Sequence, residues 1–149
     1  MRLTLDSNIL VYAADRDAGS RHLIAQRIVR RAADLDCLLT LQALAEFFRV
    51  ATGKCNVPPK EAATIVANWR DVFPVHAADA ETLTAAMDAV AGHSLAFWDA
   101  MIWAIARQAG CRLLLSEDLQ HGRELGGVVF INPFVEPAAA LLSEALGSW

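Results

Sequence analysis

No apolar run in this 149-residue chain approaches the roughly 18 residues that a membrane span needs. An export signal is not expected either, because the opening MRLTLDSNILVYAAD carries an acid, Asp6, inside what would be the signal's apolar stretch. The expectation is a cytoplasmic protein with no membrane partner. Cysteine is scarce: Cys37, Cys55 and Cys111 are odd in number, far apart and form no C-x-x-C pair. That excludes a zinc knuckle or a disulfide framework and predicts reduced, buried thiols. Linkers, low-complexity segments and internal repeats are absent, so the length is expected to form one domain over 1–149. An excess of positive charge is missing too. The formal net charge is −4, which on its face argues against nucleic-acid binding. Catalytic acids neutralised by a bound metal would account for part of that charge. Arg21, Arg27, Arg30 and Arg31 concentrate positive charge in one segment, either as a solvated helix face or as a grip on a nucleic-acid backbone.

What the chain does have is apolar material, 55% of its residues, with a mean hydropathy of +0.32, enough for a well-buried core. Short apolar runs alternate with longer stretches of helical periodicity. Strands are predicted over 2–6, 37–40, 74–77, 111–116 and 128–132. Helices are predicted over 20–35, with Ser20 as N-cap, and over 41–53, 58–73, 79–92, 96–110 and 136–147. Strands separated by helices imply an α/β fold with a mostly parallel sheet covered on both faces. Such sheets place functional residues beyond the carboxyl ends of their strands.

Four acids stand out against that frame. Asp6 ends the first strand and Asp118 follows the strand LLLS. Glu46, in ALAEFFRV, and Asp99, in AFWDAMIWAIA, interrupt apolar helical stretches, where a carboxylate is costly unless compensated. A divalent cation is the natural compensation, since hard ions take oxygen ligands and need only a few carboxylates plus water. Each acid also has a structural role open to it. Asp6 can cap the following turn with Ser7 and Asn8, and Glu46 can pair with Arg49. Asp99 can face a helix dipole, and Asp118 can cap a short turn.

The segments LDSNILVYA, QALAEFFRVAT, LAFWDAMIWAIA and LLLSEDLQHG, in this order and spacing, resemble the PIN domain, most closely its VapC-like toxin branch. The resemblance covers nearly the whole chain. It implies a three-layer α/β/α fold around a mostly parallel five-stranded sheet. It maps an acidic quartet onto Asp6, Glu46, Asp99 and Asp118, with Ser116 at the hydroxyl position before the last acid. It further implies Mg²⁺ or Mn²⁺ dependence, endonucleolytic cleavage of RNA, homodimers and a cognate antitoxin protein.

The expected mechanism has Asp6, Asp99 and Asp118 as metal ligands, with Glu46 completing the quartet, and Asn8 and Ser116 holding the carboxylates by hydrogen bonds. A metal-activated water would leave a 5′-phosphate and a 3′-hydroxyl. Glu117 is read as a solvated supporting residue that touches a metal at most through water. A metal-bound water needs no histidine base, so His121 is not assigned to catalysis. His22, His76 and His93 show no ligand spacing. Trp98 and Trp103 are expected in the core rather than as a stacking platform. Two other classes compete: a catalytically silent PIN-fold module that binds RNA or protein, and a phosphatase with an Asp nucleophile. The intact quartet argues against the first. The second generally wants two acids after the first strand, where LDSN offers one.

Overall fold

The structure, a computed structural model, describes residues 1–135 and 138–147. Strand β1 (Leu3–Leu5) leads into α1 (Ser7–Ala14), a 3₁₀ turn at Arg16–Ala18 and α2 (Ser20–Ala32). Then follow β2 (Cys37–Thr40), α3 (Leu41–Gly53), α4 (Pro59–Val72), β3 (Val75–His76), α5 (Ala80–His93) and α6 (Phe97–Gln108). The chain continues through β4 (Leu113–Leu115), β5 (Glu124–Leu125), β6 (Val128–Ile131) and α7 (Ala138–Leu146). The six-stranded sheet runs β3-β2-β1-β4-β6-β5, parallel except for β5.

The central strands read as unbroken apolar runs because both sheet faces are covered. Every residue of β1, β2 and β4 is buried, including the hydroxyl-bearing Thr4 and Thr40. Helices α1 to α4 pack on one another and α7 joins them through α2; α5 pairs with α6, which lies against β2 and β6. This is the expected three-layer α/β/α arrangement. β1 pairs with β2 on one side (Leu3↔Cys37) and with β4 on the other (Leu3↔Leu113). The chain order reverses there, so the crevice beyond the carboxyl ends of β1 and β4 is the topological switch point.

The five parallel strands match expectation, and the sixth extends the sheet. β5 folds back on β6 through Gly126 and Gly127, both at positive φ (+55° and +83°), as a two-residue hairpin turn of twisted strands requires. Helix α1 is also additional to the predicted elements; it starts directly after Asp6. Ser20 does not cap α2: Gly19, at φ +64°, occupies the cap and no side chain bonds the helix end. Helix α7 covers all but the first two and the last of the positions predicted for it; residues 136 and 137 lie outside the described residues. Among the described residues no helix is long and apolar enough to cross a membrane. Cys37 and Cys111 are buried and free, with burial raising both thiols; Cys55 is only half-buried.

The hairpin turn yields a graded test. A Cβ on Gly126 would lie 3.1 Å from Cζ2 of the buried Trp103 and 3.2 Å from Cδ of Arg107, whereas a Cβ on Gly127 meets nothing within 4 Å. Gly127→Ala should cost only left-handed backbone strain, about 1 kcal/mol, and Gly126→Ala roughly 2 kcal/mol. Urea unfolding of both variants checks the order; equal losses would show that the turn does not press on Trp103.

Candidate active site

Asp6 is the first residue beyond β1. Its backbone N–H donates to the carbonyl of Leu115 on β4 (2.9 Å), which extends the ladder and fixes where the side chain emerges. The carboxylate, 5% exposed, has a partner at each oxygen. Oδ1 accepts from the Ser7 backbone N–H at 2.7 Å, capping α1, and Oδ2 accepts from Ser116 Oγ at 2.6 Å. The capping role and the site position therefore coexist in one side chain.

Ser116 is the matching residue beyond β4, and its buried hydroxyl is a hub. While donating to Asp6, Oγ accepts from the Asp118 backbone N–H (3.1 Å) and from Asn8 Nδ2 (3.3 Å). Asn8 Nδ2 also reaches Asp118 Oδ2 (3.2 Å), and Asn8 Oδ1 accepts from the Glu117 N–H (3.2 Å). The first turn of α1 thus grips the loop after β4 through a single amide. Asn132, just past β6, holds the loop from the other side by donating Nδ2 to the Glu117 carbonyl. His121 Nδ1 accepts from the Asn132 N–H (3.1 Å), a structural use of that ring.

Glu117 is half-buried and engaged rather than freely solvated. Tyr12 Oη donates to its Oε2, and Arg21 Nε forms a salt bridge with Oε1 at 2.8 Å. Both oxygens are thus engaged, whereas Asp118 has the Asn8 amide and no cationic partner among the described residues. Arg21 also lies over the rings of Tyr12 and Phe134. Of the four arginines in the basic segment, Arg21 reaches the site through this pair. Arg31 instead donates to the Leu146 carbonyl at 2.6 Å, tying α2 to α7.

Glu46 comes from α3, whose start is fixed by Thr40 Oγ1 accepting from the Ala43 N–H. Its carboxylate does not pair with Arg49. Oε2 accepts from Ser7 Oγ (3.0 Å) and Oε1 from Gln42 Nε2 (2.9 Å), one turn earlier on the same face. Gln42 Nε2 also donates to the Trp98 carbonyl (3.0 Å), so one amide links α3 to the start of α6. Asp99 lies in the first turn of α6, half-buried, with no hydrogen-bond or ion-pair partner among the described residues.

The structure therefore brings all four acids to one place, from the ends of β1 and β4 and from α3 and α6. Their charges register on each other. Burial pushes the Asp6 carboxyl up to about 6; its hydrogen bonds from Ser116 and Ser7 oppose this, and the charges of Glu46 and Asp99 reinforce it. Asp99 is raised as well, first by burial and then by Asp118 and Glu46. The salt bridges among the described residues, Arg2–Asp36 and Arg21–Glu117, leave all four acids without a counter-charge. Among the described residues no group of three or more acidic, histidine or cysteine side chains stands as a ready-made metal site. The donors that do gather here are all carboxylate oxygens, the chemistry of a hard divalent ion whose shell is completed by water and not of a soft metal.

Several site residues carried weak signals in the sequence. Gln42 could have been found as the i−4 neighbour of Glu46. Ser7 adjoins Asp6 and needed only the idea that α1 begins there. Tyr12 and Asn132 carried no local signal. Trp98 is a correction. Trp103 is buried, with Nε1 donating to the Leu125 carbonyl, but Trp98 is 62% exposed.

The raised Asp6 carboxyl has a definite consequence for the metal-free protein. Its folded value lies above the usual 3.8, so the native state holds the proton more tightly and the penalty is absent below about pH 3.8. The penalty grows as pH rises and is complete above about 6, where it amounts to about 3 kcal/mol at 1.36 kcal/mol per unit. Urea unfolding in EDTA should show Asp6→Asn gaining on wild type between pH 4 and 6.5. A constant difference over that range would show that the carboxylate is not strained.

Similar solved structures include VapC20 from Mycobacterium tuberculosis, described as a sarcin–ricin loop cleaving toxin. It shares 19% identity at a TM-score of 0.60, over 75% of this chain and 86% of that one. VapBC2 from Rickettsia felis matches at 14% identity and a TM-score of 0.64, over 87% of this chain and 97% of that one. A toxin–antitoxin complex from Klebsiella pneumoniae matches at 17% and 0.64, over 89% and 98%. At these identities the likeness is one of fold. No curated protein matches. The PIN domain model matches residues 3–123, most of the chain, and the chain belongs to the PIN domain family.

Proposed function

We propose that this protein is a Mg²⁺- or Mn²⁺-dependent endoribonuclease, the toxin of a type II toxin–antitoxin pair, acting in the cytoplasm as a single PIN domain. One observation carries the reading: four carboxylates converge at the topological switch point with no counter-charge of their own. A module that only binds has no use for that arrangement, which lowers stability unless a cation joins it. The description of the VapC20 relative as a loop-cleaving toxin supports RNA as substrate. The complexes among the relatives support a protein antitoxin as partner.

Asp6, Asp99 and Asp118 are the proposed metal ligands, with Glu46 beside them. When bound, the divalent ion supplies an acidified water and counter-charge for the phosphate. The protein's own part is positional. Ser116 and the Ser7 N–H hold Asp6 in one rotamer, Asn8 steadies Asp118, and Ser7 and Gln42 orient Glu46. Arg21 with Tyr12 draws Glu117 aside, so the loop presents one acid rather than two. Attack of a water oxygen on the phosphorus, with the P–O3′ bond breaking and O3′ taking up a proton, would leave a 5′-phosphate and a 3′-hydroxyl. An antitoxin that sets a basic side chain among the acids would compete with the cation. A homodimer is supported by α5, which exposes Leu83, Met87 and Val90 at i, i+4 and i+7, an apolar stripe separate from the Thr82, Ala86 and Ala89 positions that it buries.

Incubation with RNA and, separately, a phosphomonoester tests this. RNA should be cut with Mg²⁺ and not with EDTA, the phosphomonoester should survive, and product ends should carry 5′-phosphates. Asp6→Asn, Asp99→Asn and Asp118→Asn should each lower cleavage at least ~100-fold, comparable to removing a key electrostatic group, with unchanged circular dichroism. Undiminished cleavage in EDTA would contradict the metal reading. Full activity in a folded variant would remove that residue from the site.

A further inference from the structure

Resting on the nuclease reading, we propose that Trp98 and Arg49 form a nucleotide subsite beside the acids, the Trp98 indole stacking on an RNA base and Arg49 engaging a neighbouring phosphate. Trp98 is the second residue of α6, immediately before Asp99, and is 62% exposed although the same helix buries Trp103. It is held in place. Phe97 packs edge-on against it with centroids 4.9 Å apart, and Gln42 clamps its carbonyl with the amide nitrogen that also bonds Glu46. The Trp98 backbone is thus tied to one of the four acids through a single side chain.

Trp98 lines a groove of about 710 Å³ together with Gln42, Glu46, Arg49, Met101 and Ile105. One end is acidic at Glu46, and Met101 and Ile105 continue the α6 stripe begun by Trp98 at i+3 and i+7. The Arg49 guanidinium makes no hydrogen bond or ion pair among the described residues. Single-stranded RNA alternates flat apolar bases with anionic phosphates, and an aromatic face beside a guanidinium matches that alternation. The exposed stripe of α5 (Leu83, Met87, Val90) lines no part of this groove, so a second copy of the chain has a separate surface available.

The test uses a short oligouridylate and an abasic ribose-phosphate chain of equal length, added to the full chain in EDTA while tryptophan fluorescence is read. The oligouridylate should quench wild type saturably and the abasic chain should not. Trp98→Ala should abolish most of the quench, weaken binding roughly tenfold and raise KM for RNA cleavage in Mg²⁺ with kcat little changed. Trp98→Phe should restore most of the affinity, and Arg49→Gln should weaken binding with a shallower salt dependence. Wild-type quenching, affinity and KM retained in Trp98→Ala would overturn the subsite while leaving the nuclease intact. A dimer that becomes a monomer on Trp98→Ala, with RNA affinity per chain unchanged, would assign the indole to an interface between copies and overturn it too. If wild type neither binds nor cleaves RNA, the nuclease reading fails first and takes the subsite with it.

Discussion

A carboxylate with almost no solvent contact sits at the end of the central strand, and the surrounding loops are arranged around keeping it there. Asp6 is tolerated because the Ser116 hydroxyl and the Ser7 N–H each occupy one of its oxygens, yet these bonds only partly offset burial, and its carboxyl remains near 6. Ser116 is placed by the pairing of β4 with β1, and Asn8 by the helix that Asp6 itself caps. The strand ends, the helix start and the loop after β4 therefore form one hydrogen-bonded unit. Glu46 and Asp99 add charge to that unit from two helices without adding a counter-charge. The strain falls on Asp6 and Asp99, and a cation is the simple means of relieving it.

Much of this was legible in the sequence because the signals were local. The parallel strands are short apolar runs, and an acid or hydroxyl terminates the apolar run at the two strands that flank the switch point. Glu46 and Asp99 stood out as lone charges in apolar helices. What escaped were features set by tertiary contact. The hairpin of β5 on β6 was announced by Gly126-Gly127, but a two-residue strand has too little pattern to register. Glu117 looked solvated because Tyr12 and Arg21, its partners, are about a hundred positions away. Trp98 looked like core because it continues the apolar stripe of α6; whether a stripe is covered along its whole length is not a property of the stripe.

Arginine use divides in the same manner. The basic segment 21–31 read as one patch, but Arg21 and Arg31 sit at opposite ends of α2 and do different work, one beside the acids and one at α7. The net charge of −4 is compatible with a polyanionic substrate if the acids that contribute most locally are neutralised where the phosphate sits.

The central claim is the proposal that Asp6, Asp99 and Asp118, with Glu46 beside them, bind one or two divalent ions. Calorimetric titration of the metal-free protein with Mn²⁺ at pH 7.5 tests it most directly. The account predicts saturable binding and a loss of affinity of at least ~10-fold in Asp99→Asn. Titration that shows no saturable heat over millimolar Mn²⁺, or binding unchanged in Asp99→Asn, would contradict it.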